Sequence, residues 1–157
     1  MDPYSVSDAV SAGIRHIGIA VYSSGKVYEF LVRKGFDSDT ARAAVASLVE
    51  REYIDNIRAG RKVLASRVGK KQESKAMLAQ RLYASGIDRN SITTLMDEYD
   101  DDRISCERLI KSYYPDILPT LYSEAELHDI ISIASRRGYK PDLVTSVIRK
   151  LINEQST

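Results

Sequence analysis

Apolar positions recur along this chain with a helical period of about 3.6, and one stripe of them occurs three times. Ala41, Ala44, Val45 and Leu48 make the first copy, Ile92, Leu95, Met96 and Tyr99 the second, and Val144, Val147, Ile148 and Leu151 the third. Spacing of i, i+3, i+4, i+7 draws a single apolar face down a helix. Each stripe follows a glycine and one apolar residue: Gly35-Phe36, Gly86-Ile87 and Gly138-Tyr139. The glycines stand 51 and 52 residues apart. Before each glycine lies another stripe, at Val27, Phe30 and Leu31, then Leu78, Arg81 and Leu82, then Ile130, Ile133 and Ala134, with Arg81 as its one polar member. A repeat at this period means stacked supersecondary units.

The punctuation agrees with the stripes. A glycine closes a helix in the left-handed region without a Cβ clash. Asp37 and Asp88 are placed to cap the helices over 36–50 and 87–99, and Pro141 suits the first turn of the last helix. Three further amphipathic segments precede the pairs. Residues 6–22 carry Val10, Ile14, Ile17 and Val21; residues 57–69 carry Ile57, Val63, Leu64 and Val68 behind Asp55 or Asn56; residues 102–113 carry Ile104, Leu109, Ile110 and Tyr113. Tyr114-Pro115 ends the last of these, because the residue before proline avoids the helical region, and 114–122, with Pro115 and Pro119, reads as the one long irregular connection. The expectation is an all-α protein of about nine helices, an elongated or curved array of three tandem three-helix repeats at 1–53, 54–100 and 101–157.

Composition narrows the function classes. The chain has 157 residues, 43% hydrophobic and 29% charged, with 23 Lys+Arg against 22 Asp+Glu. That near-neutral balance excludes a histone-like coat but leaves room for a local basic surface. One cysteine, Cys106, excludes a disulfide framework and a multi-cysteine metal site. The apolar run Ile17–Tyr22 is far shorter than the roughly 20 residues of a spanning helix, and no signal-peptide pattern precedes it. A cytoplasmic protein without a membrane partner is expected.

Catalytic chemistry finds little to stand on. His16 and His128 sit in helical segments without a paired nucleophile and carboxylate, and both read as structural or surface residues. Cys106 reads as a small buried hydrophobe. Val68-Gly69-Lys70-Lys71 lacks the earlier glycine and the closing Ser or Thr of a phosphate loop. The run Asp97–Asp102 lacks the glycine and terminal glutamate of a calcium loop, and reads as a solvated junction whose Asp101 or Asp102 caps a helix. Neither an enzyme, nor a metal, nor a cofactor is expected.

Charge is distributed unevenly. Residues 56–83 hold eight basic residues (Arg58, Arg61, Lys62, Arg67, Lys70, Lys71, Lys75, Arg81) opposed only by Glu73, whereas residues 88–107 hold seven acids against Arg89 and Arg103. Such asymmetry suits docking onto an anionic polymer or a partner with its own charge pattern.

Three strings then resemble one family. SSGKVYEFLVRKGF at Ser23 to Phe36, EYIDNIRAGRKVLASR at Glu52 to Arg67, and Arg136-Arg137-Gly138-Tyr139 are similar to segments of the RecX family, regulators of the RecA recombinase. With the threefold glycine pattern, the resemblance spans roughly Ala9 to Ile152. The chain departs from that family's pattern at Glu52, where glycine is usual, at Asn56, where a second Asp is usual, and at Ala59 and Val63, where aromatics are usual; Arg67 matches. The resemblance implies a non-enzymatic regulator, a monomer of tandem three-helix repeats lying in the groove of the RecA–DNA filament. There it would restrain ATPase, strand-exchange and coprotease activities, in the setting of DNA repair, recombination and the SOS response. Its partners would be the RecA filament and DNA, either the single strand within the filament or duplex without sequence preference. Candidate contact residues are Arg58, Arg61, Lys62, Arg67, Lys70, Lys71, Lys75, Arg136 and Arg137. The alternative is a helix-turn-helix-like DNA-binding regulator acting without RecA. It is disfavoured because the helices after Gly35 and Gly86 offer only Arg42, Arg89 and Asn90 among residues suited to reading bases.

Overall fold

The computed structural model describes residues 1–116 and 123–156. Among them are nine α-helices, one 3-10 turn and no strand. They run α1 (Val6–Ile17), α2 (Ser24–Lys34), α3 (Ser38–Glu50), α4 (Asn56–Ala65), the 3-10 turn Gly69–Lys71, α5 (Lys75–Ala84), α6 (Arg89–Glu98), α7 (Asp102–Tyr113), α8 (Glu124–Arg136) and α9 (Pro141–Ser156). The all-α expectation holds, and no helix among the described residues is long and apolar enough to cross a membrane.

The three glycine turns share one hydrogen-bond pattern. Gly35, Gly86 and Gly138 have φ of 112°, 86° and 92°, in the left-handed region. The residue after each donates its N–H five residues back: Phe36 to Leu31, Ile87 to Leu82 and Tyr139 to Ala134, all at 3.1 Å. This geometry satisfies carbonyls that a helix end leaves open, and the apolar residue that donates is buried each time. Helix starts recur as well. Ser23, Ser74 and Ser123 accept N–H bonds at the starts of α2, α5 and α8, and Asp37 and Asp88 do so for α3 and α6. Asp101, not Asp102, caps α7, and Asp55 caps α4. The serine series is a regularity that the apolar stripes alone did not expose.

Two predicted helices end early. The first stops at Ile17 rather than reaching Tyr22, because Gly18 (φ 54°) turns the chain and its N–H bonds to the Ile14 carbonyl. Val21 therefore lies off the helix, and Ile19 is fully exposed. The fourth stops at Ala65 rather than 69; the chain bends and resumes as the 3-10 turn, with Gly69 at φ 60°. The seventh ends at Tyr113, before Tyr114-Pro115 as expected. Residues 117–122 of the predicted connection, including Pro119, lie outside the described residues.

Contacts divide the chain into two compact units. Unit 1 comprises Met1–Val63 and Arg81–Asp97; unit 2 comprises Leu64–Gln80 and Glu98–Thr157. In unit 1, Ala9, Val27, Leu31, Ala41, Ala44 and Leu48 form the centre of a continuous core, all fully buried. Here Gly25 meets Gly86: its N–H donates to the Gly86 carbonyl at 2.9 Å, and Ser23 Oγ donates to the Ser85 carbonyl at 2.7 Å. Only glycine permits that approach, since a Cβ on Gly25 would lie 2.5 Å from Gly86 Cα. In unit 2, Leu109, Ile110, Ile130, Ala134, Val144 and Val147 are likewise fully buried in one core. Glu52 is the one described non-glycine residue with positive φ, 64°, at a position where the RecX-like pattern has glycine.

Candidate functional site

The basic residues do not form a single surface in one unit. Arg58, Arg61 and Lys62 are exposed on α4 within unit 1. Arg67, Lys70, Lys71, Lys75, Arg136 and Arg137 belong to unit 2. There the chain from Arg67 to Lys75 is an exposed basic loop pinned by a buried polar segment. Lys70 and Lys71 are exposed on the 3-10 turn, while Gln72, Glu73 and Ser74 are at most 2% exposed.

Each buried residue has a specific partner, as a polar group removed from water requires. The Gln72 amide donates to the Tyr99 hydroxyl. The Glu73 carboxylate accepts from Arg67 Nε at 3.1 Å, with Arg67 16% and Glu73 1% exposed along their side chains. Ser74 N–H donates to the Arg137 carbonyl at 3.0 Å, and Lys75 N–H to Asp102 Oδ1 at 2.8 Å. Burial pushes the Tyr99 phenol above its ordinary pKa, so it stays protonated at neutral pH. The Lys70 ammonium lies 5.0 Å from the Tyr113 ring centroid, within cation–π range.

These contacts sort the candidates. The Ser74–Arg137 bond brings the start of α5 to the Arg136–Arg137 turn, so two stretches more than sixty residues apart in sequence meet in unit 2. Arg67 is held against a buried carboxylate and is a brace for the loop. Lys70 and Lys71 are the displayed charges, with Arg136 exposed and Lys75 and Arg137 half-buried. Sequence reasoning had Glu73 only as an opposing charge; it missed Gln72, Ser74, Tyr99 and Asp102 as the loop's anchors. Their one signal in sequence is the serine cap at 74, in register with 23.

The other sites considered from sequence are structural. Cys106 is fully buried, and burial pushes its thiol up to about 12. His16 stacks on Phe30 at 3.7 Å between ring centroids, and His128 is exposed. Asp100 pairs with Arg108, and Asp101 and Asp102 are taken up by backbone N–H groups. No group of three or more His, Cys, Asp or Glu among the described residues is arranged to hold a metal ion.

A scan against protein-family models finds no match. Over 147 residues the chain is 24% identical to the regulatory protein RecX of Trichlorobacter lovleyi, an alignment covering 92% of this chain and 96% of that protein. The crystal structure of RecX from Lactobacillus salivarius matches it with a TM-score of 0.68 at 14% identity, over 93% of this chain and 96% of that one. Along nearly its full length the chain is thus similar in sequence to a protein named RecX, and its all-α helical repeat fold is that of a solved RecX structure.

Proposed function

We propose that this protein is a non-enzymatic regulator of the RecA recombinase that binds in the groove of the RecA–DNA filament. There it restrains ATP hydrolysis, strand exchange and coprotease activity. The near full-length likeness to a regulatory protein named RecX carries the reading. The lysine-bearing loop of unit 2 supports its nucleic-acid side, because Lys70, Lys71 and Lys75 approach phosphates by charge and read no sequence. In this reading the chain acts as a cytoplasmic monomer of three repeats, at 1–53, 54–100 and 101–157. Several weak contacts from linked repeats reinforce one another through effective concentration.

Co-sedimentation with preformed RecA filaments on single-stranded DNA tests the proposal, with RecA ATPase turnover as the second readout. The expected result is association with filaments and slower ATP hydrolysis, with no turnover by the purified chain alone. Unchanged RecA turnover at saturating protein overturns it. Sequence-selective binding to naked duplex without filament binding favours the helix-turn-helix alternative.

A further inference from the structure

Unit 1 contains a large cleft that the basic loop does not use. It has a volume of about 1170 Å³ and lies among α2, α3, the start of α4 and the Gly86 turn into α6. Tyr28, Val45, Val49, Ile54 and Ile57 give it an apolar lining. Val49 is 40% exposed and open to solvent at the cleft. The volume lies just above the upper end of the roughly 300–1,000 Å³ of pockets that enclose a drug-sized molecule, and the cleft is open to solvent, so there is room for the side chains of an extended segment.

Its charge defines the occupant. Three carboxylates line it, Glu52, Asp55 and Asp88, against one cation, Arg42. Arg42 is already engaged, 2.8 Å from Asp39 Oδ1 and over the Tyr28 ring. Asp55 caps α4 by accepting from Arg58 N–H at 3.0 Å, and Asp88 caps α6 by accepting from Ser91 N–H at 3.2 Å and from Ser91 Oγ at 2.5 Å, so helix ends partly offset their charge. Glu52 caps nothing. It occupies the left-handed region at φ 64°, where glycine would sit without strain, and so presents a carboxylate at the cleft at a conformational cost. An apolar floor beneath net negative charge repels phosphates and complements cations.

We propose that this cleft is a docking groove for an extended segment of a partner protein carrying a bulky apolar side chain flanked by Lys or Arg, with Glu52 selecting for the cation. The groove stands on its own chemistry, whichever protein supplies the segment, and goes beyond the filament reading.

The test uses the full chain and a fluorescent, acetylated peptide alternating Lys with Leu, followed by anisotropy and by amide NMR shifts. An all-Lys peptide, a Glu–Leu peptide and an oligo-dT strand are the comparators. Expected is saturable binding of the Lys–Leu peptide alone, with shifts at Tyr28, Val45, Val49 and Ile57. Glu52→Gln and Glu52→Gly should each weaken it about two- to fivefold, the factor an exposed ion pair is worth. Glu52→Gly should at the same time raise the melting temperature by relieving the backbone, a split that a purely structural role does not produce. Absence of binding at millimolar peptide, equal binding of all-Lys, or unchanged affinity in both Glu52 variants overturns the proposal. So do shifts confined to the acidic run 97–102, and oligo-dT shifting the cleft amides would assign the groove to nucleic acid instead.

Discussion

Changing Lys70, Lys71 and Lys75 together to Gln separates the loop's charge from its architecture. Lys70 and Lys71 are exposed, and the Lys75 backbone N–H that bonds Asp102 survives the substitution. The substitution does remove the Lys70–Tyr113 cation–π pair, worth about 0.5–1 kcal/mol at an exposed site. Each lysine that neutralises a phosphate on a single strand contributes about 0.7 to the slope of log affinity against log salt. Three such contacts make the triple variant's slope shallower by about 2. Arg67→Gln should do the reverse. It takes the guanidinium, itself 16% exposed, from a carboxylate that is 1% exposed, and losing a hydrogen bond to a buried charged group costs about 1.5–3 kcal/mol. The assay is binding to RecA filaments on single-stranded DNA across a salt series, beside urea unfolding of each variant. The triple variant should lose slope and keep its stability within about 1 kcal/mol, while Arg67→Gln, assayed where it is folded, should lose stability and keep its slope. A triple variant with the parent slope would show that the loop does not touch phosphate, and an Arg67→Gln protein as stable as the parent would remove the brace.

Three further outcomes follow from contacts within the units. Gly86→Ala should destabilise by about 2–3 kcal/mol in urea unfolding, because it forces a Cβ into the left-handed region and opens the Gly25–Gly86 hydrogen bond; a change below about 0.5 kcal/mol would refute the close approach. Glu107 bonds Lys111 at 3.0 Å and Lys150 at 3.3 Å, and chiefly the Lys111 hydrogen bond holds its carboxyl below the ordinary value. A depressed acid stabilises the fold above its unfolded pKa, and that contribution is lost as pH falls through the folded pKa. Glu107→Gln should therefore be less stable than the parent at neutral pH and converge with it in acid; a difference that persists at the lowest pH would contradict this. Cys106, fully buried with its thiol pushed up to about 12, should resist aromatic disulfide reagents at pH 8 until the protein is unfolded; rapid labelling of the folded chain would contradict its burial.

What the sequence alone determined was local. Stripe period, glycine stops and acidic caps each depend on residues within one or two helical turns, so the apolar residue after each glycine, Phe36, Ile87 and Tyr139, was legible as a repeated position, and the structure buries all three. Its errors have the same origin. The stripe through Val21 ignored Gly18, and the one through Val68 overlooked the backbone reversal at Gly69, because periodicity counts side chains and not φ. Tertiary structure decided which charges are available. Arg67 and Lys70 look alike in a basic run, yet one faces a buried carboxylate and the other faces solvent beside an aromatic ring. That difference arises from Gln72, Glu73 and Ser74 being buried against Tyr99 and Arg137, residues 27 and 63 positions away. The unit 1 cleft was invisible for the same reason, since Tyr28, Val49 and Asp88 come from three helical segments and share a wall only after the Gly25–Gly86 contact draws them together.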